Sequence, residues 1–194
     1  MSFKSGLQTV IDNRAKMKEA LDFLRNTTLM VGIPEANGPR RDGPASNAVI
    51  GYVQEYGDAA RNLPARPFLI PGVHRMDSQI QSSLKAAGKA ALEGDKAEVK
   101  AIMTRLGLVC VTSVRNVIDE QQFSPLAPAT VLERLRKLNQ KARVDMAFDL
   151  AAGRVTMAQI AAGQSSYLKI LRDTSSMFNA ITFVLRNKQG QDVT

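Results

Sequence analysis

The chain has 194 residues, of which 44% are hydrophobic, 23% charged and 5% aromatic, with a formal net charge of +8. That length fits one domain, or one domain with an appendage, and burial of roughly 70% of the unfolded surface removes any need for a covalent staple. One cysteine, Cys110, excludes an intrachain disulfide, and with one histidine, His74, it excludes a Cys/His zinc site within a single chain.

Residues 3–25 place Leu7, Val10, Ile11, Met17, Leu21 and Leu24 three or four apart, the spacing of an amphipathic helix, with Arg14 at the edge of the stripe. The same segment is broken by charges and has no long apolar stretch, so no secretory signal is expected there. "TTLMVGI" (27–33) reads as a short buried strand stopped by Pro34. "PEANGPRRDGPAS" (34–46) is a long basic loop carrying Arg40 and Arg41, expected to be mobile and of a length that is more often functional or partly disordered than filler. Ser46 or Asn47 then caps a helix with Val49, Ile50, Val53 and Tyr56 on one face, closed by a left-handed exit at Gly57.

"YGDAARNLPARPFLIPG" (56–72) looks built to hold a bend, since Pro64 and Pro67 fix their own φ and force extended neighbours. Pro71 is expected to begin a helix with Met76, Ile80, Leu84, Ala87 and Ala91 on its apolar face. "EGDK" (93–96) is a turn, and residues 97–118 form the clearest helix, packed antiparallel on the preceding one. "FSPLAPATVLERLRKL" (123–138) approaches in extended form and starts another helix, while "TMAQIAAG" (156–163) carries a capping-box Thr and a closing Gly. "DTSSMFNAITFVLRN" (173–187) gives a helical turn and then a strand, "ITFVL", apolar on both faces. Two strands separated by long helices give an α+β fold with a small, mainly antiparallel sheet packed against long helices. No 18 uninterrupted apolar residues occur, so no membrane span is expected and the chain is placed at first in a cytoplasm.

No catalytic, cofactor-binding or metal-ligating set emerges. Cys110 sits mid-helix on an apolar face, the setting of an inert buried thiol rather than a nucleophile. His74, beside Arg75 near a helix start, reads as a solvated or capping histidine rather than a general base. Asp119 and Glu120 are adjacent and diverge by about 100° on a helix, so they cannot share a substrate. "GPRRDG" lacks the spacing and frame of a phosphate loop. The excess positive charge favours acidic partners, and Arg134, Arg136, Lys137, Lys141 and Arg143 gather on what reads as one helix. That cluster fits a solvated face, an acidic protein partner or DNA phosphates.

An apolar helix ending "VQEYG", a polar loop and "LPARPFL" resembles the tail-completion, or virion-morphogenesis, family of long-tailed bacteriophages. "SPLAPATVLERL" and "DTSSMFNAITFVL" are similar to two further segments of that family, in the same order. The resemblance covers residues 46–187 and implies a single domain over 1–194 with no enzymatic activity. It also implies a virion protein assembled in the host cytoplasm as a homo-oligomeric ring at the neck, joining tail to head around the DNA channel and touching connector or tail-tube proteins. Residues 139–168 exceed the family's usual spacing and read as an inserted helical hairpin. Where the family has Gly, this chain has Ser175, so the turn must avoid a positive φ or carry strain. In that setting Arg40, Arg41, Tyr56, Arg61, Pro64, Arg66, Pro67 and Phe68 are the expected assembly residues, with Arg66 forking onto a neighbour's carboxylate and Phe68 anchoring the loop in the core or a sibling copy. Asp173 and Thr174 are expected to cap the last helical turn. The runner-up reading is a basic accessory protein binding DNA non-specifically during packaging.

Overall fold

A computed structural model describes residues 13–35 and 45–193. It is 61% helical with one two-stranded antiparallel sheet, an α+β fold. The described chain gathers into two compact units. Of the described residues, one draws on 13–29, 79–106 and 185–193, the other on 30–35, 45–78 and 107–184.

The elements run α1 (Arg14–Asn26), β1 (Thr27–Gly32), α2 (Asn47–Tyr56), a 3-10 turn (Ala59–Arg61), α3 (Leu69–His74), α4 (Asp77–Leu92) and α5 (Lys96–Glu120). They continue with α6 (Pro128–Lys137), α7 (Gln140–Ala151), α8 (Met157–Ala161), α9 (Ser176–Asn179) and β2 (Thr182–Asn187). Strands β1 and β2 pair with each other. Of the expected first helix, Leu7, Val10 and Ile11 lie outside the described residues, as do Arg40 and Arg41.

In the first unit small side chains set the packing. Ala20 meets Ala87, Ala90 and Ala91 together with Val99 and Ile102, and Leu21, Phe23 and Leu24 close the cluster. Alanines bring helix backbones close, so the buried face of α4 is Ala87, Ala90 and Ala91, whereas Leu84 is 45% exposed. After the turn, the Asp95 carboxylate accepts the Glu98 N–H and caps α5. By length and composition α5 could cross a bilayer, but 56% of its apolar window is buried inside the protein, as a core helix requires.

The second unit has two apolar clusters. In one, Phe68, Val111, Val114, Ile118, Phe178 and Ile181 pack together. Here α3 lies directly on α5: a Cβ on Gly72 would sit 2.5 Å from the Val114 Cα, and the Ser113 hydroxyl donates to the Gly72 carbonyl at 2.7 Å. Pro71 does not begin the helix. It is the third residue of α3, a first-turn position where a missing N–H has no intrahelical partner, and the chain breaks at Arg75 and Met76 before α4 starts.

The other cluster joins Leu126 and Val131 to Ile160, Leu168 and Ile170. Residues 139–168 contribute α7 and α8, and the fully buried Ile160 ties them into this core. The expected capping box is present: Thr156 and Gln159 bond reciprocally. A break that the charge pattern does not reveal falls at Leu138, where α6 ends and the Asn139 side chain accepts the Ala142 N–H to open α7. The five cations expected on one helix are therefore divided between α6 and α7.

Ser175 has φ 55° and ψ 5°, so the turn accepts a left-handed conformation without glycine. Its side chain makes no capping hydrogen bond. Ser175→Gly is expected to raise stability by about 0.5–1 kcal/mol, read as a higher midpoint in urea unfolding.

Candidate assembly site

Glu55 is the only charged residue of α2 and is 6% exposed. Its carboxylate accepts the N–H groups of Phe68 and Leu69 at 2.8 Å each and that of Ile70 at 2.9 Å. These are the donors at the start of α3 that no helical carbonyl can reach, and the next residue, Pro71, has no N–H to satisfy. One side chain thus completes the N-terminus of α3, where the peptide dipoles also favour negative charge.

Arg66 lies between them, also 6% exposed. Its Nε donates to the Ser124 carbonyl at 3.1 Å, Nη2 to the Pro125 carbonyl at 3.2 Å, and Nη1 to Gln54 Oε1 at 3.3 Å. The Arg66 N–H donates to the Gln54 carbonyl at 2.7 Å. The expected fork onto a sibling's carboxylate is corrected by this arrangement: the guanidinium is inside its own unit and fastens the "SPLAP" segment to the end of α2. Phe68 is likewise core, at 1% exposure. Burial, followed by the nearby Arg134 charge, holds the Arg66 pKa below its usual value.

The loop before Arg66 folds onto itself. Asp58 and Leu63 exchange backbone hydrogen bonds at 2.9 Å, and Asp58 Oδ1 accepts from Ala60 and Arg61. Gly57 leaves α2 at φ 77° and ψ 177°, a positive-φ exit that glycine alone takes easily though with a wider ψ than a left-handed helical cap, and a Cβ there would meet the Ala65 N at 2.8 Å.

Around these staples opens a cleft of about 570 Å3. Gln54, Pro64 and Arg66 line one part, Leu126, Thr130 and Arg134 another, and Ile170, Leu171 and residues 173–177 a third. Arg134 is only partly exposed, donates to the Lys169 carbonyl at 3.0 Å and lies 3.6 Å from Asp173. Asp173 does not cap α9, because it faces Arg134 and Lys137, the latter at 3.8 Å. Thr174 Oγ1 stands 3.5 Å from the Ser176 N–H, at the outer limit of a hydrogen bond.

Other expected assembly residues lie at the surface. Tyr56 is 60% exposed and packs on Tyr52, ring centroids 4.9 Å apart. Arg61, Pro64 and Pro67 are exposed, as are Arg136, Lys137, Lys141 and Arg143. Asp119 and Glu120 diverge as expected, pairing with Arg172 and Arg75 respectively. Burial raises the Cys110 thiol pKa, and His74 Nδ1 lies 3.4 Å from Asp77. Among the described residues no group of three or more His, Cys, Asp or Glu could hold a metal ion.

Sequence reasoning passed over Glu55, whose one signal was a lone acid in an otherwise uncharged helix. It also passed over the contact that closes residues 139–168, where the Tyr167 hydroxyl donates to Asp149 at 2.5 Å and Arg154 Nε to the same carboxylate at 2.7 Å. The Asp149 contact pushes the Tyr167 pKa up to about 12, and the Tyr167 and Arg154 hydrogen bonds hold Asp149 below the ordinary carboxylate value. The neutral phenol is therefore favoured by folding: the contact stabilises fully below the unfolded value of about 10 and is lost as pH rises through 12. On the acid side it is lost as pH falls through the lowered Asp149 pKa. Asp149→Asn should bring the Tyr167 transition back toward about 10 in a spectrophotometric titration.

Comparison with protein-family models, curated proteins and solved structures finds no match to the chain.

Proposed function

We propose that this protein is a structural component of a tailed-phage virion, forming a homo-oligomeric ring at the neck that completes the tail and joins it to the head. One observation supports this reading above the others. The separate segments carrying the family likeness meet in one place: Glu55 of "VQEYG" caps the helix opened by "RPFL", Arg66 fastens "SPLAP", and Ser176 reaches Asn47. The scaffold leaves Val49, Tyr52 and Tyr56 at least half exposed on α2, apolar surface that a ring contact would cover. Arg61, Pro64 and Pro67 belong to the same proposed surface.

The DNA-binding reading draws on the exposed Arg136, Lys137, Lys141 and Arg143. Salt separates the two. Native mass spectrometry and sedimentation should find closed oligomers that persist as ionic strength rises, because apolar contacts are little screened. Affinity for a DNA duplex that falls steeply with salt, with the protein monomeric throughout, would favour the second reading.

A further inference from the structure

We infer that the cleft beside Arg66 receives an extended, acidic segment of a partner polypeptide, one carboxylate of which takes over the Arg134 contact that Asp173 now holds. The volume, about 570 Å3, lies within the range of ligand clefts. Its charge is unbalanced. Arg66 is buried on neutral oxygens and pairs with no carboxylate among the described residues, and Arg134 adds a second cation. Against these, Asp173 is the only acid lining the cleft among the described residues, and it is shared with Lys137. Its oxygens stand 3.6 and 3.8 Å from the two nitrogens, well beyond the roughly 2.7–2.9 Å of a charge-assisted hydrogen bond. Asp173 is therefore a loose internal stand-in that a better-placed carboxylate can replace.

The rest of the lining specifies the occupant. Ile50, Leu63 and Leu171, none of them fully buried, offer apolar contacts beside the two cations, which suits a segment with an acidic residue between apolar ones. No aromatic residue lines the cleft among the described residues, so nothing is placed to stack on nucleobases. A second copy of this chain is a poor source, because it carries eight more cations than anions. Three of the four non-glycine residues at positive φ among those described, Asn62, Leu171 and Ser175, border the same space. Strain of this kind gathers at ligand clamps. The inference holds whether or not the partner is a virion protein.

The test is a random dodecapeptide library selected on the full chain, followed by fluorescence polarisation of the enriched peptides. Sequences carrying Asp or Glu between apolar residues should enrich. Asp173→Asn should tighten their binding several-fold and Arg134→Gln should weaken it by about tenfold, the effect of one good charged contact. Opposite signs are the signature, since a merely structural Arg134–Asp173 pair would make both variants bind more weakly. If Arg134→Gln fails to fold, Asp173→Asn decides the sign alone. Enrichment without acidic residues, no enrichment, weakening by Asp173→Asn, or displacement of the peptide by single-stranded DNA would each overturn the proposal.

Discussion

Glu55→Ala is expected to lower the unfolding free energy by about 4 kcal/mol, a large share of the 5–15 kcal/mol typical of a whole domain. The carboxylate accepts three backbone N–H groups while itself nearly excluded from water. Hydrogen bonds to a charged acceptor contribute about 1.5–3 kcal/mol each, and they are not additive here because one group makes all three. Alanine leaves the Phe68, Leu69 and Ile70 donors without a partner at the start of a six-residue helix that has little stability of its own. Gln at this position should lose about half as much, since its carbonyl can still accept while its NH2 faces a donor. Circular dichroism in urea reads the stability, and amide exchange at residues 68–70 should accelerate in both variants. Unchanged exchange there would contradict the capping role.

Arg66→Met is the second large effect, a loss of about 2 kcal/mol in the isolated chain. Removing the guanidinium strands the Ser124 and Pro125 carbonyls and the Gln54 amide, each hydrogen-bonded now at 3.1–3.3 Å. Part of that loss is offset, because the variant no longer buries a cation without a counter-charge and no longer repels Arg134. Arg66→Lys should lie between the two, since an ammonium cannot reproduce the planar fork that reaches three oxygens on two segments. Had Arg66 served only a neighbouring copy, Arg66→Met would leave the monomer's stability unchanged and alter assembly alone. The expected unfolding shift separates these cases.

Much of the fold was legible because it follows from local chemistry. The strand stops just before Pro34, Ser46 accepts the Val49 N–H to cap α2, and the Thr156 box opens α8. But β1 is not the buried strand its apolar run suggests, because none of its residues is fully buried and Met30 is 39% exposed. What escaped involves residues whose type points away from their burial. On α2, Val49 and Tyr56 look like the inner face, yet both are at least half exposed, while Gly51 and Glu55 are the buried residues. Gly51 is inside because a Cβ there would stand 2.6 Å from the Ile33 Cδ1, and Glu55 because its bonds lie 13 to 15 residues away in the chain. A hydrophobicity pattern records neither close approach nor distant hydrogen bonds.

The cationic cluster failed for a related reason. Arg134, Lys137 and Lys141 are spaced for one face only if the helix continues through Leu138, and Asn139 caps a new helix instead. Arg134 then turns inward to Lys169 and Asp173, a destination set by tertiary contacts that residue spacing does not encode. Arg66 is spent inside its own unit rather than presented to a neighbour. "LPARPFL" announces a rigid presentation of side chains, but whether a given one meets its own chain or another depends on where "SPLAP" comes to lie.

A density map of an intact tailed particle, paired with particles assembled without this chain, tests the proposed ring. The proposal predicts a closed ring of copies at the junction of head and tail, with the Tyr52 and Tyr56 surface covered by a neighbour, and unjoined heads and tails when the chain is absent. Complete, infectious particles lacking the polypeptide would contradict it.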